Sequence, residues 1–399
     1  MEDCGKISLM ADIYNIPDLK RHEYKVATEL QEKLIDDLKN RHDAESQRLL
    51  RHIALPDLSS STDSPLHEIV ERIKKLPTFS NFDVINIPEI VPASISFDLF
   101  DFASDHPARS HSDTYYVDDT NILRTHDTVF WHYYLKLPEI KKRITQKQPL
   151  GTVCYGKVYR KDEIDRLHSN IFHQMGSWFL IPDGQKLMSI TDLKEVLAEL
   201  VKAVFGPTIE FRFNTDIFPY TDPSLEMEIK TSNGDWIEVV GGGLPKKSVL
   251  KKMGVEGYNG WAFGFGIERL AIISMSLPDI RLLWSTDKRI KNQLVLGQKY
   301  VEVSKYPPVT RDISFVVSKD FEPNNYYELV RDVIDSQFIE EIKQLDRYED
   351  VAKFGSGQVS YTYRIVYRHL DRTLTNEEVD KLHHQLEKKT ISEFKASIR

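Results

Sequence analysis

The stretch TVCYGKVYRKDEIDRLHSNIFHQ, residues 152–174, decides the fold class because it joins two apolar strand segments through a short charged loop. Thr152–Arg160 and the segment that begins at Asn170 have strand composition, and Lys161–Ser169 is polar. Parallel neighbours need a crossover of a dozen or more residues, usually a helix. This loop has no room for one, so the stretch predicts antiparallel strands.

The remainder of residues 66–290 continues this pattern of short apolar segments, many of them without crossover helices. The predicted fold class is therefore α+β, with an antiparallel sheet flanked by helices. Further strands are predicted at Asn170–Leu180, Ile209–Ile217, Leu225–Lys230 and Trp236–Val240, and helices at Asp192–Phe205 and Gly266–Ser276.

The C-terminal block, from Lys305 onward, has the order strand, helix, strand, strand, helix. This order predicts a small α+β sandwich. Thr375 and Glu378 form a capping box, in which each side chain satisfies the other's backbone amide, and they mark the start of the second helix.

An N-terminal arm precedes the sheet. Ala and Leu residues at helical spacing follow Asp18, a potential N-cap, and the polar helical text continues to Leu55. The arm could be a coiled coil, a contact for a partner or tRNA, or a helix packed on its own domain. The predicted units are 1–65, a helical extension and linker; 66–290; 291–304, a linker that could act as a hinge; and 305–399.

The composition is that of an ordinary globular protein, with 399 residues, 41% hydrophobic, 29% charged and a formal net charge of −8. No apolar run reaches the roughly 20 residues of a membrane-spanning helix, so we expect no membrane insertion. Cys4 and Cys154 are too few for a disulfide framework. The first 20 residues hold acidic side chains and no arginine, which favours the cytoplasm and leaves an organellar location open.

Three local features indicate a phosphorylated ligand. Arg160 ends a strand, where a guanidinium can bind phosphate oxygens, although a surface ion pair is the commoner use of such a residue. The stretch GWAFGFGIER, residues 260–269, has glycines that allow close backbone approach and puts Arg269 in the first turn of a helix. Tight packing of a strand on a helix needs the same glycines. Glu226 and Glu238 could bind magnesium or could simply be solvated.

In this order, these features resemble the catalytic domain of a class II aminoacyl-tRNA synthetase, specifically of the phenylalanyl-tRNA synthetase family. The matching motifs are Asp105–Arg109, Leu123–His126, Gly156–Gln174, Phe218–Ser224 and Gly260–Leu270. Tyr306–Pro308, Arg311–Phe315 and Tyr363–His369 resemble the ferredoxin-fold anticodon-binding domain of that family. Because one chain carries both signatures, the resemblance is to the single-chain, organellar type, although the first motif reads like the bacterial catalytic subunit.

The resemblance implies catalysis with ATP and Mg2+. Arg160 would hold the α-phosphate, Arg269 would meet the γ-phosphate and cover one face of adenine, and Phe172 would stack on the other face. His168 would join the two arginines at the phosphates. The implied ATP site comprises Arg160, Asp162, His168, Phe172, Glu238, Gly264 and Arg269, with Glu226 and Glu238 as magnesium ligands.

The amino acid pocket that the resemblance implies is lined by Tyr116, His126, Thr128, Gln174, Phe218, Tyr220 and Ala262. Two positions depart from the family. Gly176 stands where a glutamate two residues after Gln174 usually receives the substrate ammonium, and Tyr220 stands where phenylalanine is usual. We expect Gln174, His126 and a water or another carboxylate to hold the ammonium.

The resemblance implies a tRNA-binding C-terminal domain, in which Arg364, Arg368 and Arg372 could contact phosphates. Tyr361, Tyr363 and Tyr367 could stack on anticodon bases, or their face of the strand could be core.

The function implied is ATP-dependent attachment of phenylalanine to tRNA(Phe) through a phenylalanyl-adenylate, by a monomer or homodimer. One alternative is the same chemistry with another amino acid, and another is a non-catalytic tRNA-binding paralogue. Retention of both Arg160 and Arg269 disfavours the paralogue, because binding alone does not need a complete ATP clamp.

Overall fold

A computed structural model describes Tyr14, residues 20–302 and residues 306–399 of the chain. Its N-terminal part is built around one large sheet, and the C-terminal part around a smaller one. The strands of the N-terminal part are β1 (Glu23–Lys25), β2 (Asp83–Asn86), β3 (Ile90–Pro92), β4 (Asn121–Leu123), β5 (Leu150–Tyr159), β6 (Ile171–Pro182), β7 (Phe211–Asp216), β8 (Thr221–Lys230), β9 (Trp236–Pro245) and β10 (Tyr258–Gly266).

The large sheet has the order β1-β2-β5-β6-β10-β9-β8-β7, and β3 pairs with β4 in a separate ribbon. The neighbouring pairs β5 with β6, β6 with β10, β10 with β9, β9 with β8 and β8 with β7 are all antiparallel. This confirms the predicted antiparallel sheet. The edge pairs β1 with β2 and β2 with β5 are parallel.

The central strand β10 is absent from the predicted strands, because three of its nine residues are glycine and glycine lowers strand propensity.

Helices flank the sheet and connect its strands. Their bounds are α1 (Glu29–Asn40), α2 (Ala44–Ala54), α3 (Pro65–Lys74), α4 (Ala93–Ser96), α5 (Phe130–Lys136), α6 (Pro138–Thr145), α7 (Ile190–Phe205), α8 (Lys247–Lys252), α9 (Ile267–Met275) and α10 (Lys288–Lys291). One face of the sheet is packed against α3, α7 and α9, where Val70, Leu197 and Leu270 join Phe179 and Trp261 in a single buried cluster. These helices close that face of the sheet to a ligand.

The N-terminal arm is two helices, where the sequence predicted one. Arg41 adopts an extended backbone, and the Asp43 carboxylate accepts a hydrogen bond from the Ser46 amide at 2.8 Å, which starts α2. Leu38 and Leu49 are buried against residues of the sheet and its loops. Among the alternatives, the structure therefore shows an arm packed on its own chain. The predicted N-cap Asp18 lies outside the described residues.

The C-terminal part has the predicted order of elements, which are β11 (Val309–Ser318), α11 (Pro323–Val333), β12 (Ile339–Tyr348), α12 (Val351–Phe354), β13 (Gln358–Tyr367), α13 (Asn376–Phe394) and β14 (Ser397–Ile398). The strands form an antiparallel sheet in the order β12-β13-β11-β14. The capping box of Thr375 and Glu378 is present at the start of α13. Tyr361, Tyr363 and Tyr367 are buried in the core, so the core interpretation is right and base stacking by them is wrong.

The two parts contact each other around the loop that follows β5. The amide of Ile342 donates to the Ile164 carbonyl at 2.9 Å, and Arg331 donates to the Asp162 carbonyl at 2.9 Å. Glu328 is buried and accepts a hydrogen bond from the Tyr115 hydroxyl.

The predicted linker 291–304 contacts the N-terminal part at Tyr300, whose amide donates to the Met275 carbonyl at 2.8 Å. Residues 303 and 304 lie outside the described residues.

Candidate active site

A cavity of about 640 Å3 opens on the sheet face opposite α3, α7 and α9. Most of the predicted ATP and amino acid residues line it, drawn from β6, β9, β10, α9 and the segments that follow β4, β5 and β7. They are His126, Thr128, Arg160, Asp162, His168, Phe172, Gln174, Phe218, Tyr220, Glu238, Ala262, Gly264 and Arg269.

A row of glycines forms the floor of this cavity. Gly176 on β6 pairs with Gly264 on β10, which pairs in turn with Gly241 on β9. A Cβ atom at Gly241 would lie 2.8 Å from Cζ of Phe218, closer than real side chains pack. At this level of the sheet the glycines therefore make room for side chains from loops that line the cavity, with Phe218 over Gly241 and Asp127 over Gly176.

Arg160 and Arg269 lie at the charged end of the cavity. The Nε atom of Arg160 donates to the Thr125 carbonyl at 3.0 Å, and its guanidinium lies 5.2 Å from the ring centre of Phe172. The guanidinium is accessible from the cavity but enclosed by protein elsewhere, and this desolvation lowers its pKa without removing its charge. Arg269 donates from Nη1 to the Glu238 carbonyl at 3.1 Å.

The loop after β5 closes one side of the cavity. The Nδ1 atom of His168 lies 2.7 Å from Oδ2 of Asp165, whose other oxygen accepts the His168 amide at 2.7 Å. Desolvation opposes ionisation of Asp165, but these hydrogen bonds outweigh it and lower its pKa. The histidine is exposed and is held by a local turn rather than by the core.

The opposite end of the cavity is aromatic. The Tyr220 ring lies 5.5 Å from Phe100, 6.1 Å from Trp131 and 6.2 Å from Phe218, between ring centres. Burial raises the pKa of Tyr220 to about 12, and its hydroxyl bonds the Thr128 side chain. The hydroxyl that Tyr220 carries, and that the phenylalanine usual in the family lacks, therefore already has a hydrogen-bond partner within the protein.

Three polar side chains lie beneath these rings. Nε2 of His126 lies 2.9 Å from the Ser96 carbonyl, which can only accept, so Nε2 carries the proton and Nδ1 presents a lone pair. Burial lowers the pKa of His126 to about 4, so it is neutral near pH 7. Oε1 of Gln174 accepts the Asp127 amide at 3.0 Å, and Asp127 itself is 2% exposed.

Two predicted residues do not line the cavity. The Tyr116 hydroxyl donates to the Arg109 carbonyl at 2.8 Å, and its ring stacks on His111. Glu226 accepts a hydrogen bond from Asn214 at 3.0 Å on the neighbouring strand.

The three C-terminal arginines are ion-paired: Arg364 binds Asp312, Arg372 binds Glu378 and Arg368 binds Glu340. Arg364 and Arg372 are about half exposed, whereas Arg368 is less exposed and lies beside Arg166 and Asp279, where the two parts of the chain meet.

Sequence reasoning missed Asp127, Phe102 and Trp131, which also line the cavity. The two aromatic residues could not be identified from the sequence, because their contacts with the cavity depend on how the loops before α5 fold over the sheet. For Asp127 a signal was present: the carboxylate lies between two named pocket residues, His126 and Thr128, in a chain that lacks the usual glutamate at Gly176.

Comparison with known proteins places the chain. The family of tRNA synthetases class II core domain (F) matches residues 52–294, and the ferredoxin-fold anticodon binding domain family matches residues 304–399. A chloroplastic/mitochondrial phenylalanine–tRNA ligase from Arabidopsis thaliana is 36% identical, over 80% of this chain and 73% of its own. A probable mitochondrial one from Drosophila melanogaster is 32% identical over 85% of both chains. The mitochondrial phenylalanine–tRNA ligase of Mus musculus is 32% identical, over 82% of this chain and 79% of its own.

Among the described residues, no helix has the length and apolarity to span a bilayer.

Proposed function

Since the chain belongs to the class II tRNA synthetases, and among them to the phenylalanine–tRNA ligases, we propose how its cavity divides between the substrates of that reaction. The enzyme attaches phenylalanine to tRNA, and neither another amino acid nor a non-catalytic role is favoured. In the chemistry of this class, the amino acid carboxylate attacks the α-phosphorus of ATP and pyrophosphate leaves. The adenylate then passes its acyl group to the terminal ribose of tRNA.

The observation that carries the proposal is that Arg160 and Arg269 line one cavity whose other end is aromatic. Arg160 would bind the α-phosphate, and Arg269 the γ-phosphate and one face of adenine. Phe172 would stack on the other face of the base, and His168 and Asp162 would approach the nucleotide from the loop. Positioned cations stabilise the charge that develops on phosphate oxygens, so no general base is required.

The acidic residues beside Arg269 fit a magnesium ion. Desolvation raises the pKa of Glu238, Arg269 opposes this rise, and the neighbouring carboxylates of Glu226, Asp216 and Glu228 add to it. A cation would relieve this repulsion, and Mg2+ needs only one or two carboxylates when phosphates complete its shell. We expect Glu238 to hold it with the nucleotide and Glu226 to contribute charge from the next strand. When bound, the ion would neutralise charge on the phosphates.

The phenyl ring of the substrate would occupy the aromatic end. Phe218 and Tyr220 would contact it, and each such ring pair contributes about 0.5 to 1.5 kcal/mol beyond area burial. Ala262 on β10 is buried in the cavity wall and keeps space for the ring. The Tyr220 hydroxyl is committed to Thr128, so it is not itself a free partner for the hydroxyl of a tyrosine substrate.

Amino-acid-dependent ATP–pyrophosphate exchange tests the proposal. Across the twenty amino acids, phenylalanine should give the fastest exchange. Arg160→Ala and Arg269→Ala should each slow it by roughly 10²-fold or more. Arg72→Ala is the matched control, because Arg72 pairs with Glu68 on α3, across the sheet from the cavity. Wild-type rates in both cavity variants would contradict the assigned roles, and faster exchange with another amino acid would contradict the substrate.

For tRNA, we propose that Arg364 and Arg372 exchange their exposed acidic partners for backbone phosphates, since such surface pairs are worth little. Arg368 would become available only if the C-terminal part moved away from the N-terminal part. Charge reversal at Arg364 should raise the KM for tRNA while leaving pyrophosphate exchange unchanged.

The named relatives are organellar, which supports an organelle over the cytoplasm as the place where this enzyme acts. Imaging of a C-terminally tagged chain tests this.

We also propose a monomer rather than a homodimer. The apolar side chains of α3 are buried within the chain, against α7 and α9, which leaves none of them for a second copy. Light scattering at working concentration tests the mass.

A further inference from the structure

Asp127 is a buried carboxylate in the cavity wall, and its charge is not matched by any hydrogen-bonding cation among the described residues. It begins the short turn Asp127–Val129 that leads into α5. Its Oδ2 atom is buried, and within the part of the chain that the structure describes it has no hydrogen-bond partner. Burying a carboxylate without a partner costs free energy. A ligand that brings a cation to this carboxylate recovers part of that cost as binding free energy.

The carboxylate of Asp127 stands where a side chain at position 176 would stand. A Cβ atom built on Gly176 would lie 2.2 Å from Oδ2 and 3.0 Å from Cγ of Asp127. The space above β6 that the family fills with a glutamate from its own strand is thus filled here by a carboxylate from the loop before α5. The two arrangements exclude each other sterically.

The charged and titratable groups around Asp127 do not pair with its carboxylate, which leaves the carboxylate available to a ligand. Burial raises the pKa of Asp127 to about 7, and Arg124 and Arg160 oppose this rise. The Nε and Nη1 atoms of Arg124 donate to the Lys157 and Ile87 carbonyls, and Nε of Arg160 donates to Thr125. Both cations bond to backbone oxygens, and neither forms a salt bridge with Asp127. His126 is neutral and the Tyr220 phenol is protonated near pH 7.

We propose that Asp127 binds the ammonium group of phenylalanine and so replaces the glutamate that Gly176 lacks. The inference rests on the amino acid pocket proposed above. The preceding residue supports it: Nδ1 of His126 is also buried and unpartnered within the described chain, and it can accept a second ammonium N–H. Gln174 accepts the Asp127 amide through its side-chain oxygen and so positions this residue, whereas its amide nitrogen is a donor and cannot itself bind an ammonium group.

Two ligand fragments separate an ammonium site from a structural carboxylate. 2-Phenylethylamine keeps the ammonium and lacks the carboxylate of phenylalanine, and 3-phenylpropanoate is the reverse. Asp127→Asn preserves shape and should weaken inhibition by the amine roughly 10²-fold, with the KM for phenylalanine rising in parallel. Inhibition by the acid and the KM for ATP should stay within about twofold. Asp235→Asn, at an exposed hairpin tip, is the matched control.

Moving the carboxylate back gives the second test. Asp127→Ala should raise the KM for phenylalanine. Adding Gly176→Glu to that variant should bring the KM most of the way back to the wild-type value. Gly176→Glu alone should not fit, because Asp127 occupies the same space. A merely structural carboxylate predicts no such rescue.

If Asp127→Asn weakened inhibition by the amine and by the acid equally, or weakened neither, the inference would be overturned. If wild-type exchange chose another amino acid, the substrate assignment would fall instead, and the amine and acid analogues of that amino acid would decide the role of Asp127.

Discussion

Replacing Gly176 with alanine tests the packing of the cavity floor. The added methyl carbon would lie 2.2 Å from Oδ2 of Asp127. Non-bonded atoms prefer about 3.5 Å, so the carboxylate or the strand must move by roughly 1.3 Å. Overpacking of this kind costs about 1–3 kcal/mol, against a usual gain of about 0.4–1 kcal/mol from the stiffer unfolded chain. We expect Gly176→Ala to lower the free energy of unfolding by about 1–2 kcal/mol and to raise the KM for phenylalanine.

Tryptophan fluorescence in urea measures this effect where it occurs, since all five tryptophans lie between residues 131 and 284. Gly184→Ala is the matched control, because a Cβ there meets nothing within 4 Å. In an Asp127→Ala background the cost of Gly176→Ala should largely disappear, as the colliding group is gone. Equal urea midpoints for Gly176→Ala and Gly184→Ala would refute the argued overlap.

Further expectations concern pH, the interface and the pocket hydroxyl. Because Asp127 must be ionised to bind an ammonium and its pKa is about 7, kcat/KM for phenylalanine should fall as pH drops below 7, and Asp127→Asn should flatten that limb. Burial opposes ionisation of Glu328, but Arg331 and other cations outweigh it and lower its pKa. Glu328→Gln should therefore cost about 3–5 kcal/mol of stability in urea unfolding followed by circular dichroism. Tyr220→Phe removes one hydrogen bond, so the KM for phenylalanine should change by less than about tenfold in pyrophosphate exchange.

Loop lengths and alternation were enough to predict the antiparallel sheet and the C-terminal sandwich, because these depend on local spacing. Strand β10 escaped, since its glycines oppose a strand locally. The need for Gly260 comes from the backbone of Phe179 on the neighbouring strand β6, a contact that a single sequence does not reveal. The break between α1 and α2 also escaped, because the helical stripe gives no sign that Asp43 starts a new helix.

The site divides in the same way. The arginines and glycines belong to contiguous motifs, so sequence alone located them. Asp127 depends on a contact between residues 127 and 176, which a single sequence does not reveal. The resemblance places Tyr116 in the amino acid pocket, yet its hydroxyl is bonded to the Arg109 carbonyl away from the cavity.

A crystal structure with a non-reactive phenylalanyl-adenylate analogue tests the central claim most directly. We expect the base to lie between Phe172 and Arg269, and the phosphate analogue to contact Arg160. The phenyl ring should lie beside Phe218 and Tyr220, with the ammonium within hydrogen-bonding distance of Asp127. An analogue seated outside this cavity, or with its ammonium bonded elsewhere and Asp127 still unpartnered, would contradict it.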